Sequence, residues 1–193
     1  MNFKRGGMMR KDALKNRQRI EEKALALFNS EGVDNVSMNR ISKELNIGMG
    51  TLYRHFKDKG DLCYHIIEHD FDDIMKCMLD VKQYYTSKKD IMTHSLDIFL
   101  RFKTDNSDLL NCIEGNDNQK MFRSSEFFKN LNQYYFDVFN DYEDTAWAIF
   151  KTDMLLKSLA THTFEFQKKE RQLSNETFRN NLIKLYLPEE VIE

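Results

Sequence analysis

Apolar residues recur along most of the chain at the spacing of one helix face, and no segment alternates as a half-buried strand would. Between about Asp12 and Glu31 the apolar positions follow the i, i+4, i+7, i+8 pattern of a buried helical stripe: Ile20, Ala24, Leu27 and Phe28. Gly32 comes next, and glycine adopts the left-handed conformation that ends many helices. The first predicted element is therefore an amphipathic helix that ends at a glycine.

Two short helices are predicted after this glycine. Ser37 is a favourable N-cap, and Val36 and Ile41 stand where a hydrophobic staple would join the chain before the cap to the first helical turn. The second helix is expected to end near Leu45, and the third to cover about residues 49–56. Two short helices joined by a tight turn predict a helix-turn-helix, whose second helix enters the major groove of DNA.

The remaining sequence predicts six longer or shorter helices separated by polar segments. The fourth helix is expected to reach Val81, the eighth to span about 145–166 and the ninth about 174–187, where Pro188 stops it. The predicted fold class is all-α, with about nine helices. An N-terminal three-helix, helix-turn-helix DNA-binding domain is expected at residues 1–60 and a C-terminal helical bundle at residues 61–193.

Charge is divided unevenly between these two parts. The whole chain carries a formal net charge of −2, but residues 1–60 hold thirteen Lys and Arg against seven Asp and Glu. The N-terminal part is therefore basic and the remainder acidic. This division indicates that the protein binds a polyanion at one end, although an ordinary solvated surface would also fit the charge alone.

Several classes of protein are disfavoured by what the sequence lacks. No apolar run approaches the ~20 residues of a membrane span, and the motifs G-x-S-x-G and H-E-x-x-H do not occur. We therefore expect neither an enzyme, nor a cofactor, nor membrane attachment. The cysteines Cys63, Cys77 and Cys112 are too widely spaced for a disulfide framework or a zinc site, so we expect ordinary buried thiols in a reducing cytoplasm.

Two sequence patterns carry a specific resemblance. Residues 19–28 read R-I-x-x-x-A-x-x-L-F, and residues 51–62 read T-L-Y-R-H-F-x-x-K-x-x-L. With Gly32 and Ser37 between them, these patterns resemble the DNA-binding domain of the TetR family of transcriptional regulators. The resemblance implies a repressor that a small molecule releases from a palindromic operator. A TetR-like DNA-binding scaffold acting mainly through protein partners, or an activator, is the alternative.

The same resemblance implies which residues contact double-stranded operator DNA. Asn39 is expected to pair with a base, and Tyr53 and Lys59 are expected to contact phosphates. The full expected set is Ser37, Asn39, Arg40, Met49, Gly50, Thr51, Tyr53, Arg54, His55, Lys57 and Lys59. The family often has Ser or Thr at Gly48, and we interpret Gly48 and Gly50 as permitting close approach of the backbone to DNA. A merely floppy helix is the alternative.

The C-terminal part is rich in aromatic residues, most of which are expected in its core. Some are expected to line a pocket for an apolar or aromatic small-molecule effector, since bundle sites form between helices. The candidates are Phe99, Phe102, Phe122, Phe127, Tyr134, Trp147, Phe150 and Met75, with Met92, Met121 and Met154 as an adaptable addition.

The family resemblance also implies a homodimer formed through the two C-terminal helices. The apolar residues expected at its interface are Ile149, Leu156, Leu159, Phe178, Leu182 and Leu185. His65 and His69 have a spacing that could hold a metal on the fourth helix, but the sequence shows no third ligand. We therefore expect surface histidines and no metal.

Overall fold

The computed structural model describes residues 4–115, 119–140 and 144–187, together with their side chains except those of residues 4–12 and 119–121. Over these residues the chain forms twelve α-helices and no strand, which confirms the predicted all-α class. The chain divides into two compact units, Met1–Glu68 and His69–Glu193. The boundary therefore lies after Glu68, whereas the sequence suggested residue 60.

The first unit contains four helices: α1 (Lys4–Glu31), α2 (Met38–Glu44), α3 (Met49–His55) and α4 (Lys59–Ile66). Helix α1 starts earlier than the predicted Asp12 and ends as predicted, at Gly32 with φ +85°. The predicted stripe of α1 is buried, and so are the apolar residues that α2, α3 and α4 turn inward: Ile41, Leu45, Leu52, Phe56 and Leu62. Helices α2 and α3 are thus held by a shared core, as a helix-turn-helix requires.

The turn between α2 and α3 depends on a left-handed residue. Asn46 has φ +51°, a conformation that asparagine tolerates better than most side chains. Its backbone N–H donates to Lys43 O at 3.1 Å, and that of Ile47 donates to Ser42 O at 3.0 Å. These two bonds reverse the chain tightly enough for α3 to begin at Met49.

The second unit is a bundle of eight helices among the described residues. They are α5 (Glu68–Tyr84), α6 (Lys88–Asp105), α7 (Ser107–Glu114), α8 (Gln119–Ser124), α9 (Glu126–Phe139), α10 (Thr145–Ser158), α11 (Thr161–Lys169) and α12 (Asn175–Tyr186). Helices α10 and α9 pack together, and so do α12 and α6. Pro188, the predicted stop of the last helix, lies outside the described residues.

The predicted helix count of about nine was too low because two predicted helices are each broken into two and because α8 was not predicted as a helix of its own. The fourth divides at Ile67, whose N–H donates to Tyr64 O three residues back and tightens the last turn of α4. The eighth divides at Ala160, where φ and ψ are −55° and 142°. Here the carboxylate of Glu114 accepts the N–H of Thr161 at 2.7 Å. A contact from a distant helix therefore satisfies the new helix start.

Aromatic rings form the centre of the second unit. Phe71 stacks on Phe127 with ring centroids 4.1 Å apart, and Phe102 and Phe122 lie 5.5 and 6.2 Å from Phe71. The four rings come from four different helices, so the cluster joins α5, α6, α8 and α9. Aromatic pairs at such distances add to the stability gained from apolar burial.

Two further sequence expectations concern the exterior. Of the cysteines, Cys63 is buried, Cys112 is half-buried and Cys77 is exposed, so the expectation of three buried thiols was wrong for Cys77. Within the described part of the chain, no helix combines the length and the apolar character needed to cross a bilayer.

Candidate functional site

The start of helix α2 presents the first group of predicted DNA contacts. Ser37 caps the helix, because its hydroxyl accepts the N–H of Arg40 at 3.1 Å. Asn39 is exposed in the first turn and can reach a partner outside the chain. The cap therefore fixes the helix end from which the Asn39 amide projects.

Arg40 already has two acidic neighbours in the first unit. Its guanidinium forms an ion pair with Glu44 on the same helix and a second with Glu31, at 3.2 Å, at the end of α1. The hydrogen bond to Glu44 raises the pKa of Arg40. The same bond lowers the pKa of the Glu44 carboxyl. A phosphate would have to compete with these two carboxylates for Arg40.

Helix α3 exposes a short surface made mostly of small and aromatic groups. The Tyr53 side chain is 49% exposed, so its hydroxyl is available to a phosphate. Arg54 lies back along its own helix, with Nε donating to Gly50 O at 3.2 Å and Nη2 to Thr51 Oγ1 at 3.0 Å. Met49 is half-buried, and its sulfur accepts the Ser42 hydroxyl at 3.1 Å. Tyr53 is therefore better placed than Met49 to reach outward.

The two glycines of this region are open on the side where a side chain would stand. Apart from the adjoining backbone, a Cβ added to Gly48 or Gly50 would meet no atom of the protein within 4 Å. Packing within the protein therefore does not require glycine at either position. This observation fits the interpretation that an external surface approaches the backbone of α3 closely.

The junction of α3 and α4 carries the remaining predicted contacts. Phe56 is fully buried and holds the end of α3, while Lys57 is exposed and Lys59 is half-buried in the first turn of α4. Asp58 caps α4 by accepting the N–H of Asp61 at 2.8 Å. His55, the last residue of α3, is half-buried. The predicted contacts from Ser37 to Lys59 thus lie on three consecutive elements of one unit.

A cavity of about 500 Å³ opens within the second unit, between α6, α7, α8, α9, α10 and α11. Its apolar lining comes from Phe99, Phe122, Phe128, Leu131, Met154, Leu156, Leu159 and Ala160, and its polar lining from Lys103, Glu114, Arg123, Asp153, Lys157, His162 and Thr163. This volume lies within the range of roughly 300–1,000 Å³ that small-molecule sites occupy.

A buried ion pair forms one wall of this cavity. Lys103 is only 1% exposed, and its ammonium donates to Glu114 Oε1 at 3.0 Å and to Thr161 Oγ1 at 2.6 Å. Burial lowers the pKa of Lys103, while attraction to Glu114 and the hydrogen bond with it oppose that change. Lys103, Glu114 and Thr161 tie helices α6, α7 and α11 together around the cavity.

The structure places the predicted ligand residues in three different environments. Phe99 and Phe122 line the cavity, as does Met154. Other candidates are buried in the core and do not line the cavity: Met75, Met92, Phe102, Phe127 and Tyr134, where burial raises the pKa of Tyr134 to about 12. Trp147 and Phe150 stack on each other at 5.4 Å and are each 51% exposed. The side chain of Met121 lies outside the described residues.

Comparison with known proteins identifies the family to which the chain belongs. Residues 20–65 match the model of the family described as bacterial regulatory proteins, tetR family. An HTH-type transcriptional regulator of Staphylococcus aureus strain USA300 is 53% identical over 181 residues, which are 94% of this chain and 97% of that relative. The chain belongs to the TetR family. As a TetR-family protein it is a DNA-binding transcriptional regulator with a helix-turn-helix, and it is not an enzyme.

Solved structures show that the TetR fold extends over nearly the whole chain. A TetR/AcrR-family regulator from Thermobifida fusca has a TM-score of 0.59 at 18% identity, covering 91% of this chain and 98% of its own. The regulator FadR of Bacillus subtilis, solved in complex with stearoyl-CoA, has a TM-score of 0.63 at 11% identity, with 89% and 97% covered. At these identities the likeness concerns the fold alone.

One contact in the helix-turn-helix of this TetR-family chain was missed at the sequence level. Arg19 of α1 donates from Nη2 to the backbone oxygen of Leu45 at 3.0 Å. Arg17 lies over the ring of Phe56, 5.2 Å from its centroid. Arg19 belongs to the R-I pattern that resembles the family, so the sequence did mark this residue. The spacing of apolar residues, however, predicts no contact for an exposed arginine.

His65 and His69 lie on two different helices. His65 lies on α4 and contacts Asp61 and Glu68, at 3.4 and 2.9 Å, whereas His69 lies on α5. Among the described side chains, no three His, Cys, Asp or Glu residues are grouped so as to hold a metal ion.

Proposed function

We propose that this TetR-family regulator is a repressor that binds a palindromic operator as a homodimer and is released by a small molecule held in the cavity of the second unit. The observation that carries the proposal is the cavity itself. It has the volume of a small-molecule site and an apolar lining with a few polar groups, and it lies in the unit that does not contain the helix-turn-helix.

For the operator contacts, we propose that α3 enters the major groove while Ser37, Tyr53, Lys57 and Lys59 meet the phosphates on either side. The exposed Tyr53 hydroxyl and the exposed Lys57 support this assignment. Asn39 is proposed to contact a base, since a carboxamide can pair with adenine through two hydrogen bonds. Of the remaining predicted contacts, Thr51 and Arg54 are hydrogen-bonded to each other and would have to separate to reach DNA.

For the dimer, we propose an interface on α10 and α12. Ile149 and Leu185 support it, because they are 49% and 68% exposed although apolar, and so do the exposed rings of Trp147 and Phe150. The other residues expected there are buried within the chain and stabilise the unit instead: Leu156, Leu159, Phe178 and Leu182. Two copies related by a two-fold axis would present two α3 helices to two half-sites.

For the release, we propose that the ligand binds more tightly to the DNA-free form than to the operator-bound form. A ligand shifts an equilibrium only by its difference in affinity for the two states. Helices α10 and α11 both line the cavity, and α10 also carries the proposed dimer surface. A ligand that moves α10 would therefore change the spacing of the two DNA-binding units.

Selection of duplexes from random DNA on the full-length protein tests the operator part of this proposal. We expect a pseudo-palindrome bound with a Kd of about 10 nM or lower at physiological salt. Tyr53→Phe should weaken binding to every duplex, and Asn39→Ala should relax the preference at one base pair. Lys76→Ala, a fully exposed change in α5, is the control. If Tyr53→Phe and Asn39→Ala both bind as the parent does, α2 and α3 are not the reading surface.

The release is tested by fluorescence anisotropy of the operator complex. Apolar and aromatic compounds that raise the Tm of the protein should lower its operator affinity. Thr163→Phe, which adds a ring inside the cavity, should abolish that response and leave operator binding without compound unchanged. If compounds bind the cavity but leave operator affinity unchanged, the proposal of ligand-induced release is wrong, whereas the proposed DNA contacts are unaffected.

A further inference from the structure

Charged side chains surround the entrance, or rim, of the cavity in the second unit, in addition to its apolar lining. Arg123, Lys157 and His162 line the cavity and are exposed, and so is the carboxylate of Asp153. These side chains lie where the cavity meets solvent, whereas Phe99 and Leu131 lie buried inside. The cavity thus has an apolar interior and a polar entrance.

The inner cation is already neutralised. Lys103 is bound to Glu114 at 3.0 Å, and the same carboxylate accepts the hydroxyl of Thr161 at 2.6 Å and its N–H at 2.7 Å. A ligand anion placed beside Lys103 would stand next to a second carboxylate in a poorly solvated site, which is costly. The interior wall therefore suits an uncharged part of a ligand.

The two cations of the rim, Arg123 and Lys157, differ from Lys103 in their ion pairing. Among the described residues, Arg123 and Lys157 form no ion pair with a carboxylate, in contrast to Lys103 and to Lys169, which is bound to Glu165 at 3.0 Å. With Asp153 as the acidic side chain of the rim, the entrance carries a net positive charge without counting His162. The chain as a whole is acidic outside its first sixty residues, so the positive entrance contrasts with the overall charge of this part of the chain.

We infer that the effector is an amphiphilic anion: its apolar body lies against Phe99, Phe122 and Leu131, and its anionic group lies at the rim with Arg123 and Lys157. This inference rests on the proposed ligand-binding role of the cavity and narrows its ligand from any apolar molecule to an organic acid or phosphate. The anionic end stays partly hydrated, which avoids the cost of burying it. Complementary charge at the rim also selects against cationic molecules of the same shape.

Two fluorescent probes with the same rings test the inference directly on the full-length protein without DNA. Anilinonaphthalene sulfonate carries an anionic group, and phenylnaphthylamine lacks it. We expect the sulfonate to bind more tightly and to weaken when salt is raised from about 50 mM to about 500 mM, with the neutral probe insensitive to salt. Phenylnaphthylamine should still enter the cavity, because its body fits the apolar interior.

The double variant Arg123→Gln/Lys157→Gln should weaken binding of the sulfonate by about threefold to tenfold, the range that two exposed ion pairs provide. It should leave the neutral probe within about twofold of the parent. Arg101→Gln/Lys129→Gln is the matched control, since it removes one arginine and one lysine that are exposed on the same unit but do not line the cavity. The control should bind both probes as the parent does.

Equal affinity for the two probes, or an equal loss of sulfonate binding in the control variant, would overturn the inference. Operator release is measured separately by anisotropy, so the two proposals fail independently. A neutral compound that releases operator as well as its acidic analogue does would refute the anionic effector and keep ligand release. An acid that needs Arg123 and Lys157 for binding but never releases operator would refute ligand release and keep the anionic ligand.

Discussion

The guanidinium of Arg19 donates a hydrogen bond across 3.0 Å to the backbone oxygen of Leu45, a residue 26 positions further along the chain. Leu45 is the C-cap of α2, and the last carbonyls of a helix lack partners within the helix. The bond satisfies one of these carbonyls and connects α1 to the turn that leads into α3. The bond therefore links a residue of the first helix to the turn before α3, and we expect it to help orient α3.

Arg19→Ala should lower the free energy of unfolding by about 1 kcal/mol, at the low end for a charged hydrogen bond because the arginine is exposed. Operator affinity should fall by more than the removal of one positive charge would cause, because the turn before α3 loses the hydrogen bond that holds it. Lys15→Ala makes the same charge change on an exposed position of α1. Equal operator affinities for the two variants in anisotropy titrations would show that the contact with Leu45 does not orient α3.

Gly50→Ala separates two explanations of the glycine in α3. Apart from the adjoining backbone, an added Cβ meets nothing within 4 Å, so the helix should gain about 0.5–1 kcal/mol of stability, measured by urea unfolding. If the backbone of α3 approaches DNA closely, operator affinity should fall several-fold despite the higher stability. If the helix is merely floppy and alanine rigidifies it, stability should rise in the same way but operator affinity should rise as well.

Glu44→Gln should strengthen operator binding. The change removes the carboxylate whose hydrogen bond raises the pKa of Arg40, so that the guanidinium is freer to meet a phosphate. The slope of log Kd against log salt concentration should then steepen by about 1, while the Tm changes little because the pair is exposed. Glu22→Gln removes an equivalent charge from α1 and is the control. An equal gain in both variants would mean that net charge alone is responsible.

Glu114→Gln should destabilise the second unit by about 3 kcal/mol or more, because it leaves the buried ammonium of Lys103 without its counter-charge. Adding Lys103→Met should restore most of the loss, since a buried ion pair can often be replaced by apolar groups. Urea unfolding of the single and double variants measures both effects. A double variant as unstable as Glu114→Gln alone would show that the Glu114 contacts to Thr161 matter more than charge balance.

The same pair predicts how stability changes with pH. Burial lowers the pKa of Lys103 in the folded chain, so the unfolded chain binds more protons between that lowered pKa and about 10.4. The contribution of Lys103 to stability therefore rises with pH through this window. Glu114→Gln lowers the pKa of Lys103 further. Its Tm should therefore recover relative to the parent as pH increases from about 7 to about 9.5, whereas Lys103→Met should show no such recovery.

The helix-turn-helix was predictable because its signals are local. The N-cap bond from Ser37 to the N–H of Arg40 spans three residues, and Gly32 ends α1 through its own backbone conformation. The buried stripe of α1 needed only the helical period. The contact surface from Ser37 to Lys59 was likewise predicted from positions on short helices, and its contacts with DNA stay a prediction.

The contacts that close the second unit could not be predicted in this way. The predicted eighth helix runs through Ala160 on its apolar pattern alone. It breaks there in the structure, where Glu114 caps Thr161 from 47 residues away. Trp147 and Phe150 have the character of pocket residues and are exposed, whereas Arg123 and Lys157 have the character of solvated surface residues and line the cavity.

From the sequence alone came the all-helical class, the position of the helix-turn-helix and the division into a basic and an acidic part, because periodicity, capping and charge act over a few residues or over composition. Folding in three dimensions decided where the long helices break, which aromatic rings fill the core and which residues surround the cavity. These depend on residues that are far apart in the chain and meet only when the helices pack, so no local pattern records them.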